Sequence, residues 1–232
     1  MLTVVDEFDS QGPRNWQTAA KAVVCQIFND DAIQKIISHL EKDIASTAHT
    51  HGHDYQPSIH SALYSYKLLD TQLDGMLHNN EFFSSDSAYW VDEWSQLGCL
   101  AAAAGMKNGN FLANPEDPSR SPKNQKKIEK LPARSASDSL NSTEFDIWMI
   151  RDAILETLIK KQRDYGHGNI LRFGRVGILI RTHDKLARLS NLLLTQNSPE
   201  NESITDTYTD IVGYSAIGMM LERRWFSLPL DY

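Results

Sequence analysis

Apolar residues recur every three or four positions through most of this chain and almost nowhere at every second one. Between Trp16 and Phe28 the apolar positions are Ala19, Ala20, Val23, Val24 and Ile27, closed by the Asn29-Asp30 turn signal, and this period predicts a helix. Ile33, Ile36, Ile37, Leu40 and Ile44, with Lys, Glu and Asp between them, predict a second helix with one buried stripe. A third follows the Pro57-Ser58 start, runs through Ile59, Leu63, Tyr66, Leu69, Leu73 and Met76, and stops at Asn79-Asn80. A fourth is expected from Asp86 to Met106, where Leu97 to Ala104 is almost wholly apolar and its small residues permit close helix contact. Thr143-x-x-Asp146 reads as a capping signal before Phe145, Trp148, Met149, Leu155, Leu158 and Ile159, and Gly166 and Gly168 stop that helix. The next helix starts near Val176 and carries Leu179, Leu186, Leu189 and Leu193 on one face; a last one follows the Thr195–Asn201 loop. The expected fold is therefore all-α, a helical bundle of about seven helices with no sheet.

Composition narrows the picture. A chain of 232 residues, 41% hydrophobic, can bury a core. A net charge of −7 argues against non-specific binding to DNA or to an anionic membrane, so a small ligand is the better expectation and direct nucleic-acid binding is not expected. No apolar stretch reaches membrane-spanning length, and Met1–Gly12 carries acids where a secretory signal would carry a basic region. Cys25 and Cys99 lie in apolar helical runs and read as two buried, reduced thiols of a cytoplasmic protein. From Lys107 to Asn141 the chain turns to Asn, Pro, Ser, Lys and Gly without apolar period, dividing it into an N-terminal helical region (1–106), a basic linker or loop (107–141) and a C-terminal helical domain (142–232). His49, His51 and His53 with Asp54 are spaced as a solvated loop rather than a zinc site.

Candidate chemistry concentrates after Lys161. Three charged clusters interrupt the apolar pattern: K-x-x-D-Y-G at Lys161–Gly166, R-x-x-D-K-x-x-R-L at Arg181–Leu189, and E-S-x-x-D-T-x-x-D-x-x-x-Y at Glu202–Tyr214. On one helix Glu202, Asp206 and Asp210 would share a stripe at four-residue spacing, continued by Tyr214, Ile217 and Leu221, so the acids point inward or nearly so. Like charges there repel and lose hydration, and a hard divalent cation with oxygen ligands, Mg²⁺ or Mn²⁺, is the simplest compensation. Ser203-x-x-Asp206 also fits a capping box, an alternative that applies to Asp206 and not to Asp210. Asp184 and Arg188 have the spacing of a simple surface pair.

In this order the three clusters, over about the last ninety residues, resemble the nucleotide-modification-associated domain of phages, a branch similar to the MazG-like all-α nucleotide pyrophosphohydrolases. The resemblance implies a MazG-like C-terminal core that hydrolyses a (deoxy)nucleoside triphosphate to monophosphate and pyrophosphate with Mg²⁺, in a cytoplasm that is the host's if the protein is phage-encoded. It implies catalytic roles for Asp184, Asp206 and Asp210, and a metal site of Asp184, Asp206 and Asp210 with Glu202 or Glu156. Lys161, Asp164, Tyr165, Asn169, Arg172, Arg181, Lys185 and Arg188 would bind substrate. It also implies a homo-oligomer, unless the N-terminal helices cover the C-terminal ones within one chain. A non-hydrolysing module that binds a nucleotide or a partner enzyme of a base-modification pathway is the competing expectation.

Overall fold

A computed structural model describes residues 12–51, 57–78, 86–108, 142–196 and 198–231. Among these are seven helices and no strand: α1 (Trp16–Ile27), α2 (Asp30–His51), α3 (Pro57–His78), α4 (Ser87–Lys107), α5 (Ser142–Tyr165), α6 (Gly168–Thr195) and α7 (Ile204–Glu222). The all-α expectation holds. Two boundaries move. Helix α2 runs on to His51, so His49 and His51 are helical, while His53 and Asp54 lie outside the described residues, as does all of the linker beyond Asn108. Helix α6 begins at Gly168 rather than near Val176, and it bends at Gly174 (φ 53°, ψ −141°), a conformation that glycine adopts without steric penalty.

Helix α7 is the centre of the bundle. It is buried from Thr207 through Met220 at most positions and packs against α1, α4, α5 and α6, most extensively against α4. Small residues explain that closeness. A Cβ at Gly218 would lie 2.4 Å from the Trp94 ring, and a Cβ at Gly98 would lie 2.9 Å from Ile27, so the two glycines let neighbouring helices seat large side chains directly on backbone. Trp16, Trp90, Trp94, Tyr208 and Phe226 are fully enclosed in one continuous core that takes residues from both ends of the sequence. The N-terminal helices thus cover the C-terminal ones within one chain.

The segment after α7 is tied into the same core. The chain turns at Arg224 (φ 58°) and runs back along α1: the Trp16 backbone amide donates to the Pro229 carbonyl (2.8 Å), the Asn15 side-chain nitrogen to the Asp231 carboxylate (2.6 Å), and Phe226 packs edge-on against Trp16. Both cysteines are free thiols; Cys99 is buried and donates to the Ile27 carbonyl (2.8 Å), whereas Cys25 is only half-buried.

Candidate functional site

Three helices frame a cleft of about 350 Å³. Helix α5 contributes Ile154, Leu158, Lys161, Gln162 and Tyr165, residues three or four apart that form one face. It ends at Gly166 (φ 63°), whose amide donates to the Gln162 carbonyl (2.8 Å), a left-handed stop that turns the chain across the cleft. The first turns of α6, ahead of the Gly174 bend, bring in Asn169 and Ile170; beyond the bend come Arg181 and Lys185, four residues apart. Arg181 donates to the Asn169 side-chain oxygen (3.1 Å), tying the two parts of α6 together. Helix α7 closes the cleft with Asp210, Gly213, Tyr214 and Ile217, and Glu202 stands just before it.

Charges pair across this space. Both oxygens of Asp210 are held by ammonium groups: Lys161 from α5 and Lys185 from α6, the latter at 2.7 Å. Lys185 also donates to Glu202 (2.8 Å), so one ammonium bridges two carboxylates. Burial disfavours that ammonium, but its hydrogen bonds to Asp210 and Glu202, and their charges, outweigh burial and hold its pKa above the ordinary lysine value. Lys161 is half exposed, Asp210 nearly enclosed. Arg188 donates to the Glu202 and Ser203 carbonyls and to the Thr207 hydroxyl, bracing the entry to α7 without lining the cleft.

Of the residues singled out in the sequence, Lys161, Tyr165, Asn169, Arg181, Lys185, Glu202 and Asp210 meet in this cleft. Glu156, Asp164, Arg172, Asp184, Arg188 and Asp206 do not line it. Asp206 turns back on Ser203 in a reciprocal capping box (Ser203 amide to Asp206 carboxylate, 2.9 Å), the alternative the spacing left open. Because Ser203 caps the helix, Glu202 precedes it and cannot continue a helical stripe of acids. Glu156 pairs with Lys160 (2.9 Å), Asp164 and Asp184 are exposed, and Arg172 lies near the Phe173 ring. Gln162, Thr157, Thr209 and Tyr214 also line the cleft, and the charged clusters do not single out the first three. Gln162 carries a signal of its own: it is the one polar residue at the four-residue continuation of the Ile154–Leu158 stripe.

Among the described residues no group of three or more Asp, Glu, His or Cys is disposed to hold a metal. The donor set is instead a carboxylate pair, Glu202 and Asp210, close enough for one ammonium to touch both. Two carboxylates suit a Mg²⁺ ion whose remaining ligands are waters and the oxygens of a bound phosphate, rather than an ion held by protein alone.

Comparison with known proteins finds no matching family description, no similar curated protein and no similar solved structure.

Proposed function

We propose that the cleft binds a nucleoside polyphosphate. The observation that carries this reading is the convergence of three cations, Lys161, Arg181 and Lys185, each from a different turn of the chain, beside an apolar wall of Ile154, Leu158, Tyr214 and Ile217. Cations match a phosphate chain and the apolar wall matches a base, and the cleft volume of about 350 Å³ falls at the small end of the range of small-molecule sites. On binding, Lys161 and Lys185 exchange Asp210 and Glu202 for phosphate oxygens. The two carboxylates are then left for the Mg²⁺ or Mn²⁺ that accompanies a polyphosphate.

The carboxylate pair favours a second, finer reading, hydrolysis of a (deoxy)nucleoside triphosphate to monophosphate and pyrophosphate. Water adds to the α-phosphorus, the bond to the bridging oxygen of the β-phosphate breaks, and whichever of Glu202 and Asp210 is not bound to metal takes the water proton. Mg²⁺ in such a site neutralises phosphate charge and lowers the pKa of a bound water. Arg181 and the two lysines hold the departing pyrophosphate.

Melting with and without each dNTP and Mg²⁺ tests binding, since a ligand of the folded state alone raises the midpoint. The expected rise disappears in Lys185→Ala; a rise of wild-type size in that variant removes the cleft as the site. Pyrophosphate release in the same samples decides between hydrolysis and binding alone. The resemblance also supports a cytoplasmic location; the cover that the N-terminal helices give the C-terminal ones within one chain removes the need for a homo-oligomer, so sedimentation as a monomer at micromolar concentration is expected, and a dimer there would restore the oligomer. No described helix is long and apolar enough to cross a membrane.

A further inference from the structure

Gln162 is 4% exposed, lies at a helical position flanked by Leu158 and Ile154, and lines the same cleft as the two lysines. Its side-chain nitrogen is buried without any hydrogen-bond partner. Leaving a buried amide unpaired is costly, and an apolar residue at this position would avoid the penalty. Gln162 thus belongs to the lining of the cleft that holds Lys161 and Lys185, and its amide nitrogen, sealed from solvent, keeps unused hydrogen-bonding capacity that a side-chain rotation brings to a ligand.

We infer that Gln162 reads the base of the ligand, pairing with an amide-like edge on which a ring carbonyl or ring nitrogen stands next to an N–H. Rotation about the last side-chain bond exchanges the oxygen and nitrogen of the amide, so donor and acceptor can both be offered to that edge. Leu158, Tyr214 and Ile217 line the same cleft and give the base an apolar surface. Lys161, Lys185 and Arg181 respond to phosphate whatever it is attached to. Gln162 supplies the part of recognition that separates a nucleotide from a bare polyphosphate. This role deepens the nucleotide reading of the cleft and rests on it.

The test is calorimetric, with the full chain, Mg²⁺, the four dNTPs and inorganic triphosphate. Wild-type protein is expected to bind at least one dNTP more tightly than inorganic triphosphate. Gln162→Leu is expected to weaken that dNTP about tenfold, the value of one or two hydrogen bonds, while inorganic triphosphate binds as before. The free variant should melt no earlier than wild type, because leucine suits the apolar stripe, and this separates lost recognition from lost folding. Gln162→Met, which keeps the length and removes both donor and acceptor without adding charge, should also lose the preference. Equal weakening of both ligands in Gln162→Leu, or an unchanged preference, overturns the role of Gln162 and leaves the phosphate site standing. Wild-type protein that binds neither ligand overturns the nucleotide reading itself and this inference with it.

Discussion

Helix α7 presents a glycine to each of two very different neighbourhoods. On the α4 side, Gly218 lies against the Trp94 ring so closely that a single added carbon would come within 2.4 Å of it. On the α5 side, a carbon added to Gly213 would meet nothing nearer than Leu158 at 3.6 Å, and the space beyond is the cleft. One side is interlocked and apolar at this contact, with an ion pair of Arg175 and Glu222 set at the end of the helix beside the Trp90 ring. The other holds Asp210 between two ammonium groups and is open to solvent. The same helix thus divides stability from recognition: its contacts with α4 fix the fold, and that rigidity lets the α5 side remain under-filled at low cost.

Filling the apolar side should do the most damage. Gly218→Val is expected to cost about 3 kcal/mol or more, since the ring and the backbone cannot both stay in place; a melting midpoint unchanged from wild type would show that α4 and α7 are not locked together at this point. Breaking the wet side should cost less. Asp210→Asn leaves Lys185 with Glu202 alone and Lys161 with solvent, an expected loss of about 2 kcal/mol, because the pair is neither fully buried nor fully exposed. A rise in stability would mean that repulsion between Asp210 and Glu202 outweighs the lysine pairing.

Alkali separates the two sides by a different route. Burial raises the Cys99 thiol from 9.0 to about 11, and burial, opposed in part by the Asn108 hydrogen bond, raises the Tyr208 hydroxyl from 10.0 to about 12. Both groups are held protonated by the fold. The stability they contribute is complete below pH 9 and is lost as pH climbs towards 11 and 12, whereas the raised Lys185 pKa keeps its ammonium charged through the start of that range. The apolar side should therefore lose about 1 kcal/mol between pH 9 and 10, with a smaller slope in Cys99→Ala. Denaturant melts across that interval measure it, and equal slopes in both proteins would assign the loss elsewhere. The smallest effect is expected from Asp184→Asn, on the exposed face of α6: a stability change within about 0.5 kcal/mol and unchanged dNTP affinity. Lost affinity would extend the site beyond the cleft.

The apolar side is the more legible in sequence. Period 3.6, the small residues of α4 and the Gly166 stop depend on local spacing, and the helices follow from them. The cleft is half legible. The clusters bring Lys161, Lys185, Glu202 and Asp210 forward together, but reading Glu202, Asp206 and Asp210 as one acidic stripe assumes that the helix already runs at Glu202. Ser203 caps it instead, which draws Asp206 into the cap and leaves Glu202 to a lysine from another helix. The partners of a charge are set by packing between distant segments, and nothing in local spacing reports them. The Gly174 bend escapes sequence reading for a similar reason. A single glycine between Phe173 and Arg175 does not announce its own φ, and Arg175 is fixed by Glu222 (2.7 Å) and the Trp90 ring, both far from it along the chain.

The tail that returns along α1 has a consequence in time. Asn15, Trp16 and Gln17 take hydrogen bonds from or give them to Pro229 and Asp231, at the far end of the sequence. During synthesis the apolar face of α1, with Trp16, Ala19, Ala20, Val23 and Val24, leaves the ribosome long before α7 and the tail that enclose it exist. At roughly 5–20 residues per second that face waits on the order of ten to forty seconds for its covering. The apolar face of α1 thus stays without its α7 and tail covering until the last helix emerges.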